Sequence, residues 1–274
     1  MAKAIKHIQA GLLHIEVIGN IPERGTTKRR AGRSKPTSAA QAFYNLKTSA
    51  QELELWLAAN FAGNDWVVTY TFDDAHLPKD KKGAGDLFQK HIRKLRTARK
   101  KRGEDLKYIY VPEGFHGKGS GPGMGEDGVL EDCRLHLHVV LNGTGGGDLE
   151  EIRSLWPYGG YIRADPVDVH YYKELSMYLT KEAREFGRAK PGERTWRKSR
   201  NLTEYTVDYI EIPSDSVTLT APYGAVDYRP FAEKNPYGFA DCIGARYLLF
   251  PNKAEAAYTY ARGRGRPASN NFQA

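Results

Sequence analysis

The chain has 274 residues and a formal net charge of +8, with 41 Lys and Arg set against 33 Asp and Glu. That length holds one large domain or a domain with an appendage, and the cationic excess points to a polyanionic partner, most simply nucleic acid. No apolar run is long enough to cross a bilayer and no Gly-x-x-x-x-Gly-Lys-Ser/Thr loop occurs, so the expectation is a cytoplasmic protein with no membrane partner and no nucleotide-driven motor.

Taken in order, residues 1–20 alternate weakly around Ile8, Leu12, Leu13, Ile15, Val17 and Ile18, the pattern of a short strand. Residues 21–36 are basic and contain Gly and Pro; Lys28, Arg29 and Arg30 suit either a solvated loop or an arm on DNA phosphates. Thr37 or Ser38 caps a helix whose stripe is Phe43, Leu46, Ala50, Leu53, Leu57 and Phe61, with Gly63 at its end. Residues 66–72 are β-branched and aromatic, a strand closed by Asp73 and Asp74, which read as a polar turn ahead of metal ligands. Residues 84–102 read as a basic amphipathic helix, with Phe88, Ile92, Leu95 and Ala98 inward and Lys90, Arg93, Lys94, Arg96, Arg99, Lys100 and Lys101 outward. Those outward charges either solvate the helix or lie along a DNA backbone.

Residues 106–113 form the next strand, ending at Glu113, and a Gly-rich connection over 114–132 leads to a strand at 134–143. Side chains alternate across a strand, so His136 and His138 share one face while Leu135, Leu137, Val139 and Leu141 share the other. Two neighbouring imidazoles on a buried strand are costly unless something engages their nitrogens, and a divalent metal completed by a carboxylate does so. In a hairpin Glu113 lies beside the start of the histidine strand as a third, oxygen ligand. The two cysteines, Cys133 and Cys242, match neither a zinc spacing nor a disulfide framework and read as reduced thiols.

A short helix with Leu149, Ile152 and Leu155, a break at residues 156–160 and a strand at 161–165 complete the order strand, helix, strand, strand, helix, strand. That succession predicts an α+β fold, an antiparallel ferredoxin-like or RRM-like sheet with flanking helices. Residues 168–187 then read as one helix, capped by Asp168 and closed by Gly187, with Tyr171, Leu175, Leu179 and Phe186 as its buried stripe. Tyr178 falls at its boundary with Lys181 one turn away, and a nearby cation favours phenolate over phenol.

His136-Leu137-His138 on a strand followed by Tyr178-Leu179-Thr180-Lys181 on a helix is the motif pair of the HUH endonucleases. The chain resembles the rolling-circle replication initiators of that superfamily, found in bacterial plasmids, prophages and small single-stranded DNA phages. Residues 66–74 look like the first strand motif of such proteins, Glu113 occupies the place of a third ligand, and residues 196–202 resemble the segment that follows the tyrosine helix. The similarity covers residues 64–202. Some relatives carry two tyrosines one turn apart; here Glu174 stands one turn before Tyr178 and Tyr171 two turns before, so the resemblance implies a single catalytic tyrosine.

The resemblance implies Mg²⁺ or Mn²⁺ held by His136, His138 and Glu113, with Tyr178 as nucleophile and Lys181 beside it, cutting single-stranded DNA at a replication origin. Tyr178 would stay joined to the 5′ phosphate while the 3′ hydroxyl primes synthesis by a host polymerase with a host helicase. Rejoining is the reverse step. An HUH transposase or relaxase, or a non-catalytic DNA-binding replication regulator, are the alternatives. Arg197, Lys198 and Arg200, with Arg264 and Arg266 in an Arg-Gly-Arg-Pro tail, extend the expected DNA contacts. The expected organisation is 1–63 as strand, basic arm and helix on the core, 64–202 as the endonuclease core, 203–260 as an extension of the sheet or a small β-rich appendage, and 261–274 as a disordered basic tail.

Overall fold

The computed structural model describes residues 3–20, 39–114, 134–185, 194–212, 217–233 and 242–251. Lys28, Arg29, Arg30, Cys133, Arg264 and Arg266 lie outside these, as do most of the Gly-rich connection and the whole 261–274 tail. In chain order the elements are β1 (Lys3–Ala10), β2 (Leu13–Asn20), α1 (Ala39–Asn60), β3 (Trp66–Thr71), α2 (Lys81–Lys101), β4 (Tyr108–Glu113) and β5 (His136–Leu141). There follow α3 (Asp148–Ser154), β6 (Ile162–Pro166), a 3-10 turn (Val169–Tyr171), α4 (Tyr172–Leu179), α5 (Lys181–Glu185), β7 (Arg197–Lys198), β8 (Thr206–Ile212), β9 (Ala225–Glu233) and β10 (Cys242–Leu249). They fall into two compact units, residues 60–202 and residues 1–59 with 203–274.

Unit 60–202 carries a five-stranded antiparallel sheet in the order β6-β3-β5-β4-β7. The succession β3-α2-β4-β5-α3-β6, with β3 and β5 central, is the ferredoxin-like arrangement that the sequence order predicts. α2 starts at Asp80, whose side chain accepts from Gly83 N at 2.6 Å and satisfies one of the free amides of the first turn. Its Phe88, Ile92 and Leu95 are fully buried against Val68, Tyr70, Leu137 and Val139. α2 and Ile152 of α3 therefore cover the face of β5 opposite the histidines.

Arg99 is the main correction on α2. It does not face out: it is fully buried, and its guanidinium donates to Asn142 O at 2.7 Å, Asn142 Oδ1 at 3.1 Å and Asp148 Oδ1 at 3.1 Å. Thr144 N and Oγ1 donate to the same Asp148 carboxylate at 2.9 and 2.8 Å. Arg99 follows Leu95 by four residues, so helical geometry puts it on the apolar stripe whatever its charge. Ala98, expected inward, is half-buried.

His91 is the other polar group in this core. Leu155 O can only accept, so His91 Nδ1 carries the hydrogen in that 3.1 Å contact and Nε2 accepts from the Tyr70 hydroxyl at 3.2 Å. Burial pushes the imidazole down to about 4. The folded state thus disfavours protonation, and the unfolded chain takes up the proton first as pH falls below about 6.5. Stability is complete above that pH and is lost towards pH 4. His91 should account for about 2 kcal/mol of the stability lost between pH 7 and pH 5 in chemical denaturation, and His91→Gln should remove that share of the pH dependence.

Unit 1–59 with 203–274 holds a second five-stranded antiparallel sheet, ordered β8-β1-β2-β10-β9. Residues 1–20 form a hairpin of two strands rather than one, and the strands of residues 206–249 pair with it and with one another. The hairpin turn uses Gly11 at φ +58°, where a Cβ would lie 2.3 Å from Ala58 O. Only glycine lets that turn rest on α1. Ala50, Leu53 and Leu57 of α1 are buried, and Glu54 pairs with Arg246 of β10. Phe43, placed on the buried stripe by its spacing, is half exposed.

Candidate metal centre and nucleophile

β5 pairs with β4 so that Glu113 stands directly across from His136 and Val111 from His138. Cross-strand partners share a face, so the hairpin brings Glu113, His136 and His138 together, with one ligand atom of each within 4.8 Å of the others. His138 Nε2 lies 3.0 Å and His136 Nε2 3.7 Å from Glu113 Oε2, and the two Nε2 atoms are 3.1 Å apart. Glu113 and His138 are buried.

The orientation of the rings decides what this cluster offers. His136 Nδ1 sits 2.9 Å from Arg134 O, an acceptor, so the hydrogen is on Nδ1 and Nε2 presents its lone pair inward. His138 Nδ1 sits 3.1 Å from Thr69 Oγ1 on β3, the residue paired with it across the sheet. Glu113 Oε2 is buried and accepts no aligned hydrogen bond. Two imidazole nitrogens and one carboxylate oxygen thus converge, at separations near the ~3 Å between neighbouring ligands of one ion bound at ~2.1 Å. The donor set fits a divalent cation, and Thr69 and Arg134 O are the outer partners that aim the rings.

Electrostatics agree with that fit. Burial pushes the Glu113 carboxyl up, but His138, His136 and Lys181 outweigh it and hold the group at about 2. Burial and the adjacent His138 press His136 down to about 4. At neutral pH the carboxylate is ionised and the His136 imidazole neutral, the forms in which metals are bound.

The helical segment after β6 supplies the rest. It is not one helix. The 3-10 turn is capped by Asp168, which accepts from His170 N at 3.0 Å, and the regular helix starts only at Tyr172. This shifts the buried stripe to Tyr172, Ser176 and Leu179, while Tyr171 is half exposed. Tyr172, not Tyr171, is the core tyrosine, and its hydroxyl donates to Phe61 O at 2.5 Å. α4 ends at Thr180, whose Oγ1 donates to Ser176 O at 2.8 Å, and α5 begins at Lys181.

The Tyr178 ring stands edge-on to His138 with centroids 5.1 Å apart. Lys181 Nζ lies 3.8 Å above the Tyr178 ring and 2.9 Å from Glu113 Oε1. Burial pulls the Lys181 ammonium down, but Glu113 and the Tyr178 hydroxyl more than offset it and hold it above its ordinary range. Lys181 is therefore a fixed cation at neutral pH, not a base. Its neighbour Glu182 accepts from Gly114 N at 3.3 Å and from Lys81 Nζ at 2.9 Å. Two successive residues of α5 thus clasp two successive residues at the end of β4.

The remaining expected contacts are more scattered. Arg197, Lys198 and Arg200 are all exposed. Arg197 pairs across from Tyr110 and reaches its hydroxyl at 3.3 Å, on the α2 side of the sheet, whereas Lys198 pairs across from Ile109, on the triad side. Asp73 accepts from His76 N at 2.9 Å and Asp74 pairs with Arg134 at 2.8 Å, so both serve the turn.

The sequence profile of the replication-associated protein ORF2 family matches residues 65–211, more than half of the chain. The chain belongs to that family. Comparison with curated proteins and with solved structures gives no match. In this member of the replication-associated protein family the matched stretch contains the whole triad together with Tyr178 and Lys181. Among the described residues no helix is long and apolar enough to cross a membrane.

Thr69, Arg134 and Glu182 escaped sequence reasoning because nothing in their local pattern marks them. Only strand pairing could have pointed to Thr69. Thr69→Val keeps the shape and removes the oxygen that steadies His138. It should weaken Mn²⁺ binding by about 10-fold or more, read by calorimetry, with little change in melting.

Proposed function

We propose that this replication-associated protein initiates rolling-circle replication by nicking and rejoining a single DNA strand through a covalent 5′-phosphotyrosine, in the manner of an HUH endonuclease with one catalytic tyrosine. The observation that carries the reading is Lys181, which lies over the Tyr178 ring while pairing with Glu113 of the triad. The nucleophile and the three ligands thereby form one cluster.

His136, His138 and Glu113 would hold Mg²⁺ or Mn²⁺. When bound, such an ion supplies Lewis-acid polarisation of the scissile phosphate. Tyr178 then forms the new bond from its phenol oxygen to phosphorus, and the bond to the 3′ oxygen breaks. The phenol proton leaves to water and the 3′ oxygen gains one. The Lys181 ammonium lowers the cost of phenolate character on Tyr178 and of negative charge on the phosphate. The exposed Tyr171 at the end of the 3-10 turn and Met177 on α4 offer apolar surface to unstacked bases near the nucleophile. The phosphotyrosine conserves the energy of the cut bond, so the liberated 3′ hydroxyl can prime synthesis and a later 3′ hydroxyl can reverse the step.

The test is a Mn²⁺ titration alongside adduct trapping on single-stranded oligonucleotides that tile the replicon encoding the chain. Wild type should bind one ion and form a metal-dependent adduct that EDTA prevents. His136→Ala should lose at least about tenfold in Mn²⁺ affinity. Equal binding by wild type and variant would mean idle histidines, and would turn the reading to a non-catalytic DNA-binding regulator.

A further inference from the structure

α2 buries one stripe and leaves the other to solvent. Lys90, Arg93, Lys94, Arg96, Lys100 and Lys101 are exposed, and none of the six forms an ion pair among the described residues. Three acidic groups of α2, α3 and the connection after α2 are engaged elsewhere: Asp86 with Lys82, and Glu151 and Glu104 with Arg102. From Lys90 to Lys101 the row runs ~16 Å along a rigid helix. Phe88, Ile92 and Leu95 bind this helix to the sheet face that carries Leu137 and Val139. The row therefore lies on the side of the unit away from His136, His138 and Tyr178.

The chemistry of the two sides differs. On the segment that carries the nucleophile, Tyr171 of the 3-10 turn and Met177 of α4 are exposed. Among the described residues, the large exposed apolar side chains include none on α2 or α3. Unpaired bases are held chiefly by stacking on aromatic side chains, and among the described residues this surface exposes none. A straight row of unneutralised cations instead matches the regular phosphates of a double helix, where counterion release drives binding irrespective of sequence.

We propose that the outer face of α2 is a docking surface for duplex DNA, so that the protein holds double-stranded DNA on one side of the sheet while it cuts a single strand on the other. The surface goes beyond the nicking reaction and does not depend on the metal centre.

The test compares the triple variant Lys90→Gln, Lys94→Gln, Lys101→Gln with a charge-matched control, Lys79→Gln, Arg163→Gln, Lys173→Gln, in the full chain with EDTA. Anisotropy of a labelled 20-base-pair duplex and a 20-nucleotide single strand is followed across a salt series. The α2 variant should lose about tenfold or more in duplex affinity near 0.1 M salt, and its log–log salt slope should fall by about 3, with single-strand binding little changed. The control should keep duplex affinity within about twofold. Equal losses in both variants would reduce the effect to net charge, and a larger loss for the single strand would make α2 part of the cutting track; either overturns the proposal. So does loss of polyglutamate binding with duplex binding intact, which would assign the face to an acidic protein. Adduct trapping separates the two readings: a protein that forms no adduct yet shows the α2-specific duplex loss refutes the nuclease alone.

Discussion

Tyr178→Phe should abolish the covalent DNA adduct, lowering its rate of formation by a factor on the order of 10⁴ or more. The ring remains to pack against His138 and under Lys181, and only the attacking oxygen is removed. Tyr178 is half-buried and no part of the core, so melting should stay within about 2 °C of wild type. Mn²⁺ affinity should be unchanged, because no atom of the triad is altered. That combination separates a lost nucleophile from a damaged site. Lys181→Met should show a smaller loss, about 10²- to 10³-fold, because it removes stabilisation of charge and leaves the nucleophile. An adduct that persists in Tyr178→Phe would move the nucleophile elsewhere, with the exposed Tyr171 the first residue to replace.

Arg99→Ala should cost about 3–5 kcal/mol of stability. Removing the guanidinium leaves Asp148 buried with its charge uncompensated, and strips Asn142 O and Asn142 Oδ1 of a shared donor. For a unit of this size the melting midpoint should fall by about 10 °C. Pairing Arg99→Met with Asp148→Asn removes the stranded charge and restores some packing, and should recover part of the loss. A midpoint within about 1 °C of wild type for Arg99→Ala would mean that Asp148 takes up a proton or reaches water.

These two residues mark what could and could not be read along the chain. The chemistry-bearing strand was legible because a two-residue alternation separates His136 and His138 from Leu137 and Val139 without reference to anything distant. The βαββαβ order was legible for the same reason, since each element has its own period. Arg99 was misplaced because residue type was given weight over helical position: four residues after Leu95 is inward even for a guanidinium, once Asn142 and Asp148 meet it. Tyr171 was misplaced because a 3-10 turn, with fewer residues per turn than an α-helix, shifts the phase of all that follows. The second sheet was hidden for another reason. Its hairpin and its three later strands are separated by most of the chain, and no local pattern announces a pairing between Ile5 and Ile210. Thr69 likewise matters only because strand pairing sets it opposite His138.

The alternation along β5 also makes the centre all-or-none with respect to insertions and deletions. β5 is bonded on both sides, to β3 and to β4, over its full length. One residue added or lost between Arg134 and Leu141 would slip the strand out of phase, carrying both imidazoles into the oily layer under α2 and setting leucines opposite Glu113. Point substitutions can therefore explore this strand one side chain at a time, whereas a single-codon change in its length would take away the candidate metal ligands and the hydrophobic packing in one event.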